Sequence, residues 1–138
     1  MQEKTVMVFG TFDLLHQGHL DFFKQAKKFG KNLIVVVARD ETVEKVKGKF
    51  PDNDEDNRVE EIKKSGLAEM VLLGNKGADK YWLIKKYQPD VICLGYDQEF
   101  FIHNLREELD KNGLEKTEII RLKSYYPEKY KSSILKNR

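Results

Sequence analysis

Two of the chain's three histidines, His16 and His19, stand three positions apart behind the turn Gly10-Thr11-Phe12-Asp13. The apolar run Val6-Met7-Val8-Phe9 leads into that turn. A strand that ends at small residues and restarts as a helix leaves backbone N–H groups without partners, and such groups suit phosphate. With a helix starting near Gln17, His16 lies just before it and His19 in its first turn, so both imidazoles can face one anion. Gly18 leaves space between them, Gly10 lets a ligand approach the backbone, and Thr11 adds a hydroxyl. A lone histidine here would read as a cap or a surface residue; the pair, sharing one turn with Gly-Thr, points to phosphate chemistry.

Such a turn needs strands and helices to hold it. Residues 5–9, 33–38, 67–73 and 91–95 are short, nearly unbroken apolar runs, and Thr117–Leu122 is a weaker fifth. Runs of this kind suit strands covered on both faces, hence a parallel sheet. Helical patterns lie between them: Gly18–Phe29 with Gly30 as its stop, Asp54–Ser65 behind an Asp/Asn-rich cap, Asp79–Gln88 ahead of Pro89, and Glu99–Asn112 ahead of Gly113. The alternation predicts a single α/β domain over residues 1–138, a Rossmann-like doubly wound parallel five-stranded sheet whose ligands bind beyond the strands' carboxyl ends. Val43–Asp56, where charge changes sign within a few residues, reads as a loop able to move over a site. The Tyr125–Lys131 stretch reads as a packed lid or an acceptor-binding surface.

The bulk composition narrows the partners. With 138 residues the chain can bury about two-thirds of its unfolded surface in one core. Its 25 basic and 23 acidic residues nearly cancel, so no global field points to nucleic acid. No run approaches the roughly 18 apolar residues of a membrane span, and the first residues lack a signal peptide's apolar core. The expectation is a cytoplasmic protein with no membrane partner, whose single cysteine, Cys93, is buried.

Residues 10–19, Gly-Thr-Phe-Asp-Leu-Leu-His-Gln-Gly-His, resemble the G-x-F-D-x-x-H-x-G-H signature of the cytidylyltransferase-like nucleotidyltransferases. Class I aminoacyl-tRNA synthetases share the H-x-G-H element, but are longer and carry tRNA-binding appendages. The resemblance covers nearly the whole chain. Ala38-Arg39-Asp40-Glu41-Thr42-Val43, followed by Lys45 and Lys47-Gly48, is similar to the segment in which the family keeps a phosphate-binding lysine. Position makes that Lys47, with Lys45 second. Arg58 matches an arginine opening the next helix, with a phosphate or acceptor role, although pairing with Glu55 or Glu61 is the plain alternative. Gly95-Tyr96-Asp97-Gln98 resembles the G-x-D element that lies against the nucleotide, and Ser132-Ser133 the cluster that holds triphosphate oxygens. His103 reads as a surface residue.

The resemblance implies attack by an acceptor phosphate on the α-phosphorus of a nucleoside triphosphate, ATP or CTP, with release of pyrophosphate. It assigns His16, His19 and Lys47 to catalysis. Gly10, Thr11, Phe12, Gly18, Gly95, Asp97, Ser132 and Ser133 fall to the nucleotide, and Lys45, Arg58 and Lys129 to phosphate or acceptor. Mg2+ is expected to arrive with the nucleotide rather than in a protein cage, with Asp13 shaping the turn. Relatives acting on small phosphates carry R-T-x-G-I-S-T-T before the last helix, where this chain has Tyr126-Pro-Glu-Lys-Tyr-Lys-Ser-Ser133 and no arginine. The other motifs most resemble archaeal-type FAD synthases, which adenylylate FMN. Cytidylyl transfer to glycerol 3-phosphate or a similar small phosphate is the second reading, and a catalytically silent nucleotide-binding module the third. The resemblance also implies a homodimer.

Overall fold

Alternate residues of each apolar run face opposite sides of one sheet, so each run must be covered twice. In the computed structural model, which describes residues 4–74, 81–95 and 105–123, two layers of helices provide that cover. The elements run β1 (Thr5–Gly10), α1 (Gln17–Lys27), β2 (Asn32–Val37), α2 (Asp40–Lys47), α3 (Glu55–Ser65), β3 (Met70–Leu73), α4 (Trp82–Tyr87), β4 (Val91–Leu94), α5 (Leu105–Lys111) and β5 (Glu118–Arg121). The five strands pair in the order β3-β2-β1-β4-β5, all parallel. This is the expected α/β Rossmann-like sheet.

The two faces have separate cores. Val6, Val8, Leu33, Val35, Val37, Val91 and Cys93 pack with Phe23 and Ala26 of α1 and Ile62 of α3. Met7, Ile34, Val36, Ile92 and Leu94 pack with Leu83 and Ile84 of α4 and Leu105 and Leu109 of α5. Cys93 is fully buried as expected, and burial pushes its thiol up to about 12, which leaves it unreactive.

Chain order steps outward from β1 to β2 to β3, then crosses back to β4 on the other side of β1. The strand order therefore reverses between β1 and β4, and in open sheets of this kind ligands bind beyond the carboxyl ends at such a reversal. Val6, Met7 and Val8 pair with Val91, Ile92 and Cys93, and the same register continued brings Gly10 level with Gly95. Both of these predicted site residues thus stand at the switch point.

Most boundaries shift by one or two residues, and two segments differ by more. β3 begins at Met70 rather than 67 because α3 ends in a left-handed cap at Gly66, φ +72°, and residues 67–69 carry the chain back to the sheet edge. The segment expected as a loop from Val43 is helical over Asp40–Lys47, and the loop is confined to residues 48–54. Of that helix only Val43 is buried, so it lacks the apolar period that marks helices in sequence. Its charges mark it instead: Asp40 and Glu41 in the first turn, Lys45 and Lys47 in the last, and Gly48 as a left-handed cap at φ +83°. For the later helices, the described parts of the expected ranges are α4 from Trp82 and α5 from Leu105.

Candidate active site

The turn between β1 and α1 is built on the ring of Phe12. Phe12 and Leu14 both hold φ +53°, a left-handed conformation costly for bulky side chains. Packing offsets that cost: the Phe12 ring lies edge-on to Phe23 at 5.1 Å and to His19 at 5.6 Å between centroids. With 7 % of its surface exposed, the Phe12 side chain faces the core. Its ring also explains Gly10. A Cβ there would stand 2.7 Å from the tip of the Phe12 ring, so the glycine makes room for an aromatic side chain.

The two histidines cap their own helix. His16 is the N-cap of α1, and its Nδ1 accepts from the Gly18 N–H at 3.0 Å. His19 reaches back, its Nδ1 accepting from the His16 N–H at 3.3 Å. This reciprocal arrangement is a capping box made from two imidazoles. The rings stack with centroids 3.9 Å apart and planes 27° apart. An imidazole whose Nδ1 accepts carries its proton on Nε2 when neutral, so the backbone fixes the tautomer of both rings. Burial lowers the pKa of His16, and it pushes His19 down to about 3, helped by the neighbouring His16 and Lys47 and opposed by Asp13. Both rings are therefore neutral near pH 7 and act as Nε2–H donors.

Lys47 is close enough for its charge to act on His19. It sits in the last turn of α2, as does Lys45, and both residues are exposed. Residues two apart on a helix do not share a face, so the helix separates two lysines that would share a side in an extended loop. Asp13 accepts from the backbone N–H of Asp52 at 2.7 Å and of Asn53 at 2.9 Å, pinning the loop after α2 to the histidine turn. Shaping the turn was its expected part.

Arg58 lies elsewhere than expected. Its side chain is fully buried, and its guanidinium donates to Asn53 O, Thr11 O, Ala38 O and the Asp40 carboxylate. Glu55 and Glu61 are not the partners found. A group so enclosed faces protein rather than a dissolved ligand. Thr11 is half-buried in the turn, with its carbonyl held by Arg58 at 2.9 Å, and Gly18 supplies the N–H on His16. The Gly95 carbonyl accepts from Arg121 at 2.7 Å, a cation at the end of β5 that sequence reasoning did not single out. Asp97, His103, Tyr125–Tyr130, Lys129, Ser132 and Ser133 lie outside the described residues.

Three residues framing the site gave little signal in the chain: Arg39, Asp40 and Glu55. Asp40 N–H donates to the Glu55 carboxylate at 2.8 Å while Glu55 N–H donates to Asp40 at 3.3 Å, so the first residues of α2 and α3 cap each other. Arg39 donates to Gly74 O at 2.6 Å and pairs with Glu55 at 3.5 Å. Acidic residues opening two consecutive helices were the available clue.

The family model for cytidylyltransferase-like proteins matches residues 7–138. The chain belongs to the cytidylyltransferase-like family. This cytidylyltransferase-like chain is 47 % identical over 123 residues to an FAD synthase of Pyrococcus abyssi, covering 89 % of itself and 82 % of the relative. An FAD synthase of Thermococcus onnurineus is 41 % identical over 123 residues, with 89 % and 81 % covered. A crystal structure titled lipopolysaccharide core biosynthesis protein, from Thermoplasma volcanium, superposes with a TM-score of 0.82 at 38 % identity, covering 90 % of this chain and 99 % of that one.

Proposed function

We propose that the protein is an FAD synthase, transferring the adenylyl group of ATP to the phosphate of FMN with release of pyrophosphate. The observation that carries the reaction type is the pair of neutral imidazoles with fixed tautomers, set at the reversal of strand order beside Lys47. FMN as acceptor is supported by the FAD synthase relatives, the first of them 47 % identical.

An oxygen of the FMN phosphate attacks the α-phosphorus, the bond from that phosphorus to the bridging oxygen breaks, and pyrophosphate departs with the electron pair. No covalent enzyme intermediate is needed, so catalysis consists of positioning and of donors aimed at the developing charge. His16 and His19 donate through Nε2–H to oxygens on and around the α-phosphorus. Lys47 neutralises charge on the leaving phosphates or on the acceptor phosphate. Thr11, Gly18, Gly95, Asp97, Ser132 and Ser133 complete the nucleotide site, with Lys45 and Lys129 offering further charge to the acceptor.

The carboxylate of Asp13 already accepts two backbone N–H bonds, which suits an anchor better than a metal ligand. A hard cation would then arrive with the triphosphate, and Mg2+ would supply charge compensation there. Residues 1–138 act as one nucleotidyltransferase domain. Among the described residues no helix is long and apolar enough to cross a membrane. The resemblance to the family supports a homodimer, which light scattering would read as twice the 16.2 kDa of one chain.

The deciding experiment supplies ATP or CTP with FMN, glycerol 3-phosphate or phosphocholine and follows pyrophosphate release and the product by chromatography. FAD from ATP and FMN is expected. Turnover only with CTP and a small phosphate moves the assignment to a cytidylyltransferase, and no turnover with any pair leaves a silent nucleotide-binding module.

A further inference from the structure

Helix α2 and the loop behind it carry Lys45 and Lys47, yet Val43 is the one buried residue of that helix. Apolar packing therefore contributes little to where Lys47 stands. Polar attachments at the two ends of segment 40–54 set its place instead: Asp13 holds Asp52 and Asn53, Glu55 exchanges bonds with Asp40, and Arg58 ties Asp40 and Asn53 to the strand ends. This arginine, in the opening turns of α3, has no solvent-exposed side-chain surface. Its Nε–H donates to Asn53 O at 3.0 Å, Nη1 to Thr11 O at 2.9 Å and Ala38 O at 2.8 Å, and Nη2 to Asp40 Oδ1 at 2.6 Å. Those acceptors belong to the histidine turn, the exit of β2, the start of α2 and the end of the loop.

One planar group thus closes the ring from the turn through α2 and back. Asp13, holding Asp52 and Asn53 from the other side, completes it. The separation between Lys47 and the histidine turn follows from this ring rather than from the sheet. A lysine at 58 would keep the charge opposite Asp40 but could not span four acceptors with a fixed fork.

We propose that Arg58 is a positioning residue for nucleotidyl transfer: its buried guanidinium holds α2, and with it Lys47, in register with His16 and His19. The inference rests on the transfer reaction proposed above, and two readouts keep the two separable. Hydrogen exchange on the whole chain measures the ring without reference to any reaction. In Arg58→Lys, amides of residues 40–54 should exchange faster than in the parent, while those of β1 and β4 keep their parent rates.

The second readout is a cycle with Lys47→Ala. If Arg58 acts through Lys47, Arg58→Lys lowers kcat for FAD formation by roughly ten- to a hundredfold. Removing Lys47 then costs several-fold less in that background than in the parent. Should Arg58→Lys fail to fold, Asp40→Ala takes its place, because Asp40 is partly exposed and its loss removes one of the four acceptors of Arg58 together with the acceptor for the Glu55 N–H. Parent-like exchange across 40–54, or losses that multiply in full in the double variant, would overturn the proposal. Faster exchange with no FAD formed by the parent would instead keep the ring and discard the reaction.

Discussion

His16 and His19 lie stacked, 3.9 Å between ring centroids, each with Nδ1 turned to a backbone N–H of the same helical turn. The side chains that cap the start of the helix through Nδ1 thus carry their ring protons on Nε2. Capping and the proposed chemistry would use opposite edges of the same rings, which makes them separable by substitution.

His16→Asn keeps an acceptor for the Gly18 N–H, and His19→Gln keeps the capping-box partner for the His16 N–H, while both lose the imidazole's distal donor. Each variant should melt close to the parent, yet lose on the order of a hundred- to a thousandfold in the rate of FAD formation. Thermal melts alongside single-turnover rates check this. Near-parental rates in both would remove the histidines from the mechanism.

Since His19 is held neutral down to about pH 3, it should add no inflection to kcat near 6.5, and any inflection from His16 should fall below that ordinary value because burial lowers its pKa. Stability should behave otherwise. Between about 6.5 and about 3 the unfolded chain binds a proton on His19 that the folded protein excludes. Acidification through that window favours unfolding, and the stability lost there is present in full above it. Denaturant melts from pH 7 to pH 4 should show a shallower loss in His19→Gln than in the parent.

Gly10→Ala places a methyl 2.7 Å from the Phe12 ring, itself wedged against Phe23 and His19. The ring has to move, at a cost of about 1–3 kcal/mol. His19 moves with it. A lower denaturation midpoint together with a fall in kcat larger than the stability change explains is expected. A parent-like enzyme would show that the ring can shift freely.

Mg2+ alone should leave the melting temperature unchanged, because Asp13 is engaged with the backbone of residues 52 and 53. ATP with Mg2+ should raise it, and chelation should stop FAD formation. A rise with Mg2+ alone would point to a cation site within the protein itself.

Strands were legible because Val, Ile and Leu cluster in short blocks at parallel-sheet positions, and the histidine pair was legible because its members are three residues apart. Helix α2 was not, since burial of Val43 alone leaves no apolar period. Arg58 was misread for a related reason. Its partners Thr11 and Ala38 lie 47 and 20 positions away, so nothing near it in the chain shows that its donors are occupied. Asp13 was legible as a turn residue, but its partners, 39 and 40 positions on, were not. Spacing reveals groups that meet on one element; contacts closed by the fold have no local trace.

The two left-handed residues of the first turn differ in what they permit an engineer seeking a more heat-tolerant catalyst. Glycine at position 12 would relax the backbone but delete the ring that supports His19, exchanging activity for robustness. Position 14 has the same φ on a half-buried leucine with no ring beneath the histidines. Leu14→Asn or Leu14→Gly is therefore the substitution through which this turn could be made easier to fold at no expense to the donors it carries.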